Sequence, residues 1–157
     1  MLKPDKIRYG IFTTDREFAQ RIIDNLKLSH KGKVEKYINS KSELSCYMDD
    51  GTNFIWLKAD ESVRGVRCSK AIVDISTCSF EFISRILKPI CIYAEEDDFE
   101  IVTSKDNIGY NISQFIDQLR KIAYIKGDIP VYYNDYDSAP NYHLNFKIER
   151  GGLNLGE

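Results

Sequence analysis

The residues best suited to chemistry in this sequence are one aspartate and two arginines near its middle. Asp74 ends the apolar run 71–73, and Arg64 and Arg67 stand in the polar loop before that run. A carboxylate at the end of a buried strand can hold a metal ion or a ligand, or simply cap the turn that follows. Loop arginines bind phosphate or acidic partners, or form surface ion pairs. All three residues are therefore candidates for contact with a ligand or partner.

The other candidates are a run of acids and the single tryptophan. The acidic candidates are Glu95, Glu96, Asp97 and Asp98. Such a run is typical of a solvated loop, and the Asp-x-Asp-x-Asp-Gly pattern of a calcium loop is missing. Trp56 stands in a predicted hairpin strand, where it serves as a core residue or as the anchor of an interface.

The motifs that usually carry catalysis do not occur. The sequence has no phosphate-binding Gly-x-x-x-x-Gly-Lys-Ser/Thr loop, no Gly-x-Gly-x-x-Gly and no Gly-x-Ser-x-Gly. The only histidines, His30 and His143, fall on a predicted helix end and on the polar face of a strand, so both read as surface residues. We therefore predict no catalytic residue and no cofactor, and leave the identity of any metal open.

Charge and cysteine content limit the class of protein further. The 157 residues carry 22 Lys and Arg against 24 Asp and Glu, so no overall positive field attracts nucleic acid or a membrane. No apolar stretch reaches membrane-spanning length, and the N-terminus lacks a signal-peptide core. Cys46, Cys68, Cys78 and Cys91 form no Cys-x-x-Cys pair, which favours buried thiols over a disulfide or zinc site. We expect a cytoplasmic protein that binds neither membranes nor nucleic acid nonspecifically.

Hydrophobic periodicity predicts alternating strands and helices in the first half of the chain. An apolar strand at 7–13 precedes a helix that the Thr14 to Glu17 capping box should open. A half-buried strand is expected at 33–39. The Asp50-Gly51 step then predicts a β-hairpin of 43–48 and 53–58, because glycine accepts a positive φ. The next strand, 70–75, ends in a carboxylate.

The second half continues the same alternation. The spacing predicts a helix over 80–87 closed by Pro89, a buried strand at 89–93 and an edge strand at 99–104. Asn111 or Ser113 should cap a helix that stops at Gly127. Further strands are expected at 129–133 and 142–148, separated by a loop. This order predicts a single α/β domain over 1–150, a three-layer sandwich with a largely parallel sheet and an inserted β-hairpin, followed by a flexible tail at 151–157.

Residues 50–75 resemble the middle of the ATPase domain of phage terminase large subunits, the DNA-packaging motors. The shared succession is the Asp50-Gly51 hairpin, a loop containing Arg64-Gly65, and an apolar strand ending in Asp74. The resemblance extends over about 7–93. It implies that Asp74 matches the Walker B aspartate, which supports Mg²⁺ in those motors.

Two parts of the motor are missing from this match. The phosphate-binding loop should precede strand 7–13, where only six residues stand, and the catalytic glutamate should follow Asp74, where Ile75 stands. Without these groups ATP is neither held nor is its attacking water oriented. The remaining length also leaves no room for the nuclease domain of the family.

Three hypotheses follow from the sequence. The first is a non-catalytic phage or prophage protein that regulates a protein partner with a basic surface, such as a nucleic-acid-processing enzyme. The second is a metal- or nucleotide-binding enzyme that uses Asp74. The third is an oligomeric assembly component that completes its site only between copies.

Overall fold

The main sheet of this protein has six strands and is mostly parallel. The computed structural model describes residues 6–105, 111–127, 131–133, 145–149 and 152–156. The strands of this sheet are β1 (Arg8–Phe12), β2 (Val34–Asn39), β3 (Leu44–Met48), β4 (Asn53–Leu57), β5 (Lys70–Asp74) and β6 (Phe99–Val102). Their order across the sheet is β2-β3-β4-β1-β5-β6. Strands β4, β1, β5 and β6 run parallel, whereas β3 is antiparallel to both of its neighbours.

The β3–β4 hairpin is confirmed, and it extends the main sheet. Its turn contains Gly51 with φ at +89°, a conformation that residues with a Cβ rarely adopt. The Asp50 carboxylate accepts a hydrogen bond from the Thr52 backbone N–H at 2.9 Å, which fixes the turn. Strand β4 then pairs in parallel with β1, from Arg8 opposite Asn53 to Phe12 opposite Leu57.

Helix α1 (Arg16–Ser29) starts one residue later than the predicted capping box implies. Its N-cap is Asp15, whose side chain accepts from the Phe18 N–H at 3.0 Å. The predicted cap at Thr14 is therefore wrong. Asp15 serves better because its carboxylate also carries a negative charge at the positive end of the helix.

Pro89 lies within a helix and does not end one. The helical stretch 80–90, called α2 here, consists of Phe80–Phe82, a π-helical turn Ile83–Leu87, and Lys88–Ile90. A proline has no N–H and its ring presses on the carbonyl four residues earlier, and the wider π turn before Pro89 relieves both problems. The predicted buried strand at 89–93 is thus wrong, and Ile92 and Tyr93 are exposed.

The helices cover both faces of the sheet, so the fold is the predicted three-layer α/β sandwich. On one face α1 contributes Ala19 and Ile23 to a core that includes Ile11 and Ile72. On the other face α2 and helix α3 (Ile112–Lys126) pack over residues such as Phe12. Ile11 and Phe12 point to opposite faces because successive strand residues alternate.

Helix α3 and the strands after it complete the described chain. Asn111 and Gln114 form a capping box at the start of α3, and Gly127 follows its last turn with φ at +76°. Three short strands form a second sheet: β7 (Val131–Tyr133), β8 (Asn145–Glu149) and β9 (Gly152–Gly156). Residues 152–156, within the segment expected to be a flexible tail, pair as β9 with β7 and β8. The predicted loop at 134–140 lies outside the described residues.

Candidate functional site

Asp74 lies where the sheet changes the direction of its connections. It is the last residue of β5, next to the carboxyl end of β1. The chain leaves β1 for the helix on one face and leaves β5 for the helix on the other face. Open α/β sheets bind ligands at such a switch point, because the diverging connections leave a crevice there.

The side chains at this point enclose the Asp74 carboxylate, which is 1% exposed. Oδ2 accepts hydrogen bonds from the hydroxyls of Thr13 at 2.7 Å, Thr77 at 2.9 Å and Ser104 at 2.6 Å. Oδ1 accepts from the Ser76 hydroxyl at 2.6 Å and from the N–H groups of Ser76 and Ser104 at 3.2 and 3.1 Å. We call Thr13, Ser76, Thr77 and Ser104 the hydroxyl cage.

The hydroxyl cage keeps Asp74 ionised despite its burial. Burial by itself would raise the pKa of the Asp74 carboxyl, because a charge is poorly solvated inside a protein. Hydrogen bonds from Ser104, Ser76 and Thr13 outweigh burial and hold that pKa below its usual range. An ionised carboxylate offers roughly four lone-pair directions, and six donors are more than enough to fill them. The carboxylate is therefore occupied by the chain itself.

Trp56 reaches the same site from the neighbouring strand. Its indole N–H donates to the Thr13 carbonyl at 3.0 Å, while the Thr13 hydroxyl donates to Asp74. The Arg16 guanidinium lies 5.8 Å from the centre of the indole ring and donates to Asn39 and to the Ser40 carbonyl. Trp56 is thus a partly buried residue that fixes the loop after β1.

A buried lysine supports the loop after β5 from below. Lys121 of α3, 6% exposed, donates to the Ile75 carbonyl at 3.1 Å and pairs with Asp117 at 2.9 Å. Cys78 lies in this region too, and burial together with the nearby Asp74 charge raises the pKa of its thiol to about 12. Its Sγ donates to the Phe12 carbonyl at 3.4 Å. The loop is thus held by packing and by polar contacts.

The two candidate arginines do not share a site. Arg64 is exposed and pairs with Glu61 at 3.4 Å, near the carboxyl end of β4. Arg67 is exposed at the amino end of β5, where its guanidinium donates to the Val66 carbonyl at 3.5 Å. The loop between β4 and β5 must run from one end of the sheet to the other, because the two strands are parallel. Gly65, with φ at +88°, lies between the two arginines.

The acidic candidates form an ordered turn. Glu96–Asp98 is a short 3-10 helix in which the Glu95 and Asp98 side chains cap each other's backbone. Asp98 also pairs with Lys70 at 3.5 Å, and Lys126 donates to the Glu96 carbonyl at 2.8 Å. The carboxylates of Glu96 and Asp97 remain exposed.

The structure describes one of the two histidines and all four cysteines. The His30 ring nitrogen lies 2.7 Å from the Asp50 carboxylate, so this residue connects the end of α1 to the hairpin turn. His143 lies outside the described residues. All four cysteines are buried and free, as predicted. Within the described ranges, no three His, Cys, Asp or Glu side chains cluster closely enough to hold a metal ion.

The hydroxyl cage and Lys121 were missed at the level of sequence. Thr13 and the Ser76-Thr77 pair lie at the ends of strands that were correctly predicted, and Ser104 is the last residue of the edge strand predicted at 99–104. The carboxyl ends of parallel strands meet at one edge, so the order of the strands was the missing information. Lys121 gives no such signal, because lysines are common in surface helices and only the packing of α3 buries this one.

Comparison with known proteins adds nothing about the role of this site. No protein-family model, no curated protein and no solved structure gives a significant match to the chain. The resemblance to terminases therefore stays a prediction. None of the helices in the described part of the chain is long and apolar enough to cross a bilayer.

Proposed function

We propose that this chain is a non-catalytic phage or prophage protein that binds and regulates a protein partner in the host cytoplasm. Its fold would be a degenerate form of the terminase-type ATPase fold. The observation that supports this most directly is the state of Asp74, whose two oxygens accept six hydrogen bonds from the chain. A carboxylate whose oxygens both accept hydrogen bonds from the chain stabilises the loop that supplies them.

The contrast with a working motor rests on what such a site requires. A Walker B aspartate must direct its oxygens toward Mg²⁺ and its water ligands, and a second carboxylate must orient the attacking water. In this chain, serine and threonine hydroxyls surround the oxygens that a Walker B aspartate would direct toward Mg²⁺. Ile75, 1% exposed, stands where the second carboxylate would follow Asp74. Binding Mg²⁺ through Asp74 would require breaking the hydroxyl cage.

The exposed acidic turn supports a partner with a basic surface. Glu96 and Asp97 project from a turn whose backbone is held by its own capping box and by Lys126. A pre-ordered charged turn loses little entropy on binding, and its charge steers encounter with a positive surface. A nucleic-acid-processing enzyme presents such a surface.

The test compares two variants that each lose two negative charges. One is Glu96→Gln with Asp97→Asn, which leaves the capping pair intact, and the control is Glu35→Gln with Glu100→Gln, both also exposed. Tagged proteins are cross-linked in the host cell and the captured partners identified by mass spectrometry. We expect one specific basic protein to be captured by wild type and control and lost from the acidic-turn variant.

A catalytic assay completes this test. We expect that any ATP hydrolysis or Mg²⁺ retention measured for the wild type does not depend on Asp74 and is unchanged in Asp74→Asn. Turnover that depends on Asp74 would overturn the proposal in favour of an enzyme. Equal capture by both double variants would instead remove the acidic turn as the contact surface.

A further inference from the structure

A positively charged cavity lies at the amino end of the sheet, opposite Asp74. Its volume is about 510 Å³, within the range of small-molecule sites. Its walls include residues from the starts of β1 and β5 and from the turn after α2. Those that could recognise a ligand are Lys6, Arg8, Arg67, Lys70, Tyr93 and Asp98. Because each strand has five residues, the cavity is about 15 Å from the hydroxyl cage.

The cations of this cavity are poorly neutralised. Among the described residues, Lys6, Arg8 and Arg67 form no ion pair, and Lys70 has only Asp98, at 3.5 Å. In the described part of the chain, Arg8 Nη1 donates to the Arg67 carbonyl at 3.4 Å and to no carboxylate. Four cations beside one carboxylate repel each other, and a bound anion would offset that repulsion. This concentration is unusual in a chain whose net charge is −2.

An exposed aromatic ring borders these cations. Tyr93 is 90% exposed and its neighbour Ile92 is 65% exposed, which leaves flat apolar surface beside the positive charge. A simple inorganic anion would make no use of that surface. A ligand with both phosphate and a flat ring would use both, since bases stack on aromatic side chains while arginine binds phosphate.

We propose that this cavity binds a nucleoside phosphate, with Arg8 and Arg67 on the phosphates and Tyr93 stacked on the base. Free nucleotides and the phosphorylated end of a single strand share this chemistry. The site uses neither Asp74 nor the acidic side chains of Glu96 and Asp97, so it is independent of the proposed function. It also needs no positive field over the whole protein.

The experiment measures binding of AMP, ATP, inorganic phosphate and a 5′-phosphorylated oligothymidylate by calorimetry at low salt. We expect AMP and ATP to bind more tightly than phosphate. Arg8→Gln with Arg67→Gln should weaken ATP binding at least tenfold. The control, Arg21→Gln with Arg85→Gln, removes two exposed cations elsewhere and should leave ATP binding unchanged.

The base contact is tested at Tyr93. Tyr93→Leu keeps apolar area but removes the ring, and should weaken AMP binding about fivefold or more, given the usual value of base stacking. Tyr93→Trp should restore it. Tighter binding of the oligonucleotide, with a steeper salt dependence, identifies a strand end as the ligand, and preference for ATP identifies a free nucleotide. Either result supports the proposal.

Three outcomes would overturn the nucleoside phosphate site. They are no binding of any probe at millimolar concentration, phosphate binding as tight as AMP binding, and equal losses in the two arginine double variants. ATP binding lost in Asp74→Asn but retained in the Arg8 and Arg67 variant would move the site to the other end of the sheet. Retained binding in the Arg8 and Arg67 variant would contradict this inference, and lost binding in Asp74→Asn would contradict the proposed function.

Discussion

Asp74 shows how the surroundings of a residue decide between two roles that its type allows. Alone, a carboxylate at the end of a parallel strand is suited to a metal ion or to a capped turn. Four hydroxyl side chains and two backbone N–H groups satisfy it here, so it serves the loop. Its negative charge is retained because those bonds favour the ionised form.

The charge of Asp74 should make stability sensitive to acid. Asp74→Asn keeps the shape but loses the charge, and hydroxyls can turn to accept from the new amide, so we expect a loss of about 2 kcal/mol at neutral pH. The native pKa is lowered, so the stabilisation is present above the unfolded value of about 4 and is lost as pH falls through the native pKa. Urea unfolding between pH 2 and 7 measures both effects.

The difference between wild type and Asp74→Asn should therefore shrink below about pH 4. Asp97→Asn, an exposed carboxyl in the acidic turn, is the control and should follow the wild-type curve closely. A constant difference across the whole range would show that the charge of Asp74 does not stabilise the fold.

At the scale of elements, most strands and helices follow from local patterns, while their ends and one whole strand do not. The hairpin, β1, β5 and α3 are correctly predicted because their patterning and turn chemistry are local. The strand predicted at 89–93 fails because the π turn lets α2 continue through Pro89. That geometry depends on packing between α2, α3 and the sheet, which a window of sequence does not contain.

Strand β1 is tightly packed around Gly10. A Cβ there would lie 2.7 Å from the Phe12 ring and 2.8 Å from Cys68 Sγ, closer than side chains tolerate. Gly10→Ala should therefore lower the free energy of unfolding by about 2 kcal/mol through overpacking. Chemical denaturation of the single and double variants measures the effect.

The double variant identifies the cause. Cys68→Ala removes one of the two crowding groups, so Gly10→Ala should cost less in that background than in wild type. The same cost in both backgrounds would show that Cys68 does not restrict the position.

At the scale of the whole molecule, charge and reactivity are distributed unevenly between the two ends of the sheet. The carboxyl end holds a satisfied carboxylate, and the amino end holds poorly neutralised cations. Cys68 lies in the wall of the amino-end cavity. A hydrogen bond from Cys91 lowers the pKa of the Cys68 thiol, burial opposes this, and the Arg8 charge adds to the lowering.

Three of the four thiols should therefore react in a fixed order. With iodoacetamide at pH 8 we expect Cys68 first, because the thiolate is the reactive form. Cys78, whose pKa is raised to about 12, and Cys91, raised by its bond to Cys68 and by burial, should react only as the molecule opens. Peptide mapping by mass spectrometry measures each rate. Labelling of Cys78 as fast as Cys68 would contradict the order.

The sequence by itself determined the α/β class, the hairpin, the burial of the cysteines and the position of Asp74 at the end of a strand. The fold class, the hairpin and the place of Asp74 are set locally by periodicity and turn chemistry, and the cysteine prediction follows from the lack of a Cys-x-x-Cys pair. Only the tertiary structure decided what surrounds Asp74 and where the two arginines lie. Thr13 and Ser104 are 61 and 30 residues away from Asp74 in the chain, and only the strand order brings their hydroxyls onto one carboxylate. The parallel pairing of β4, β1 and β5 likewise sends Arg64 and Arg67 to opposite ends, because the chain must return along the sheet before the next strand begins.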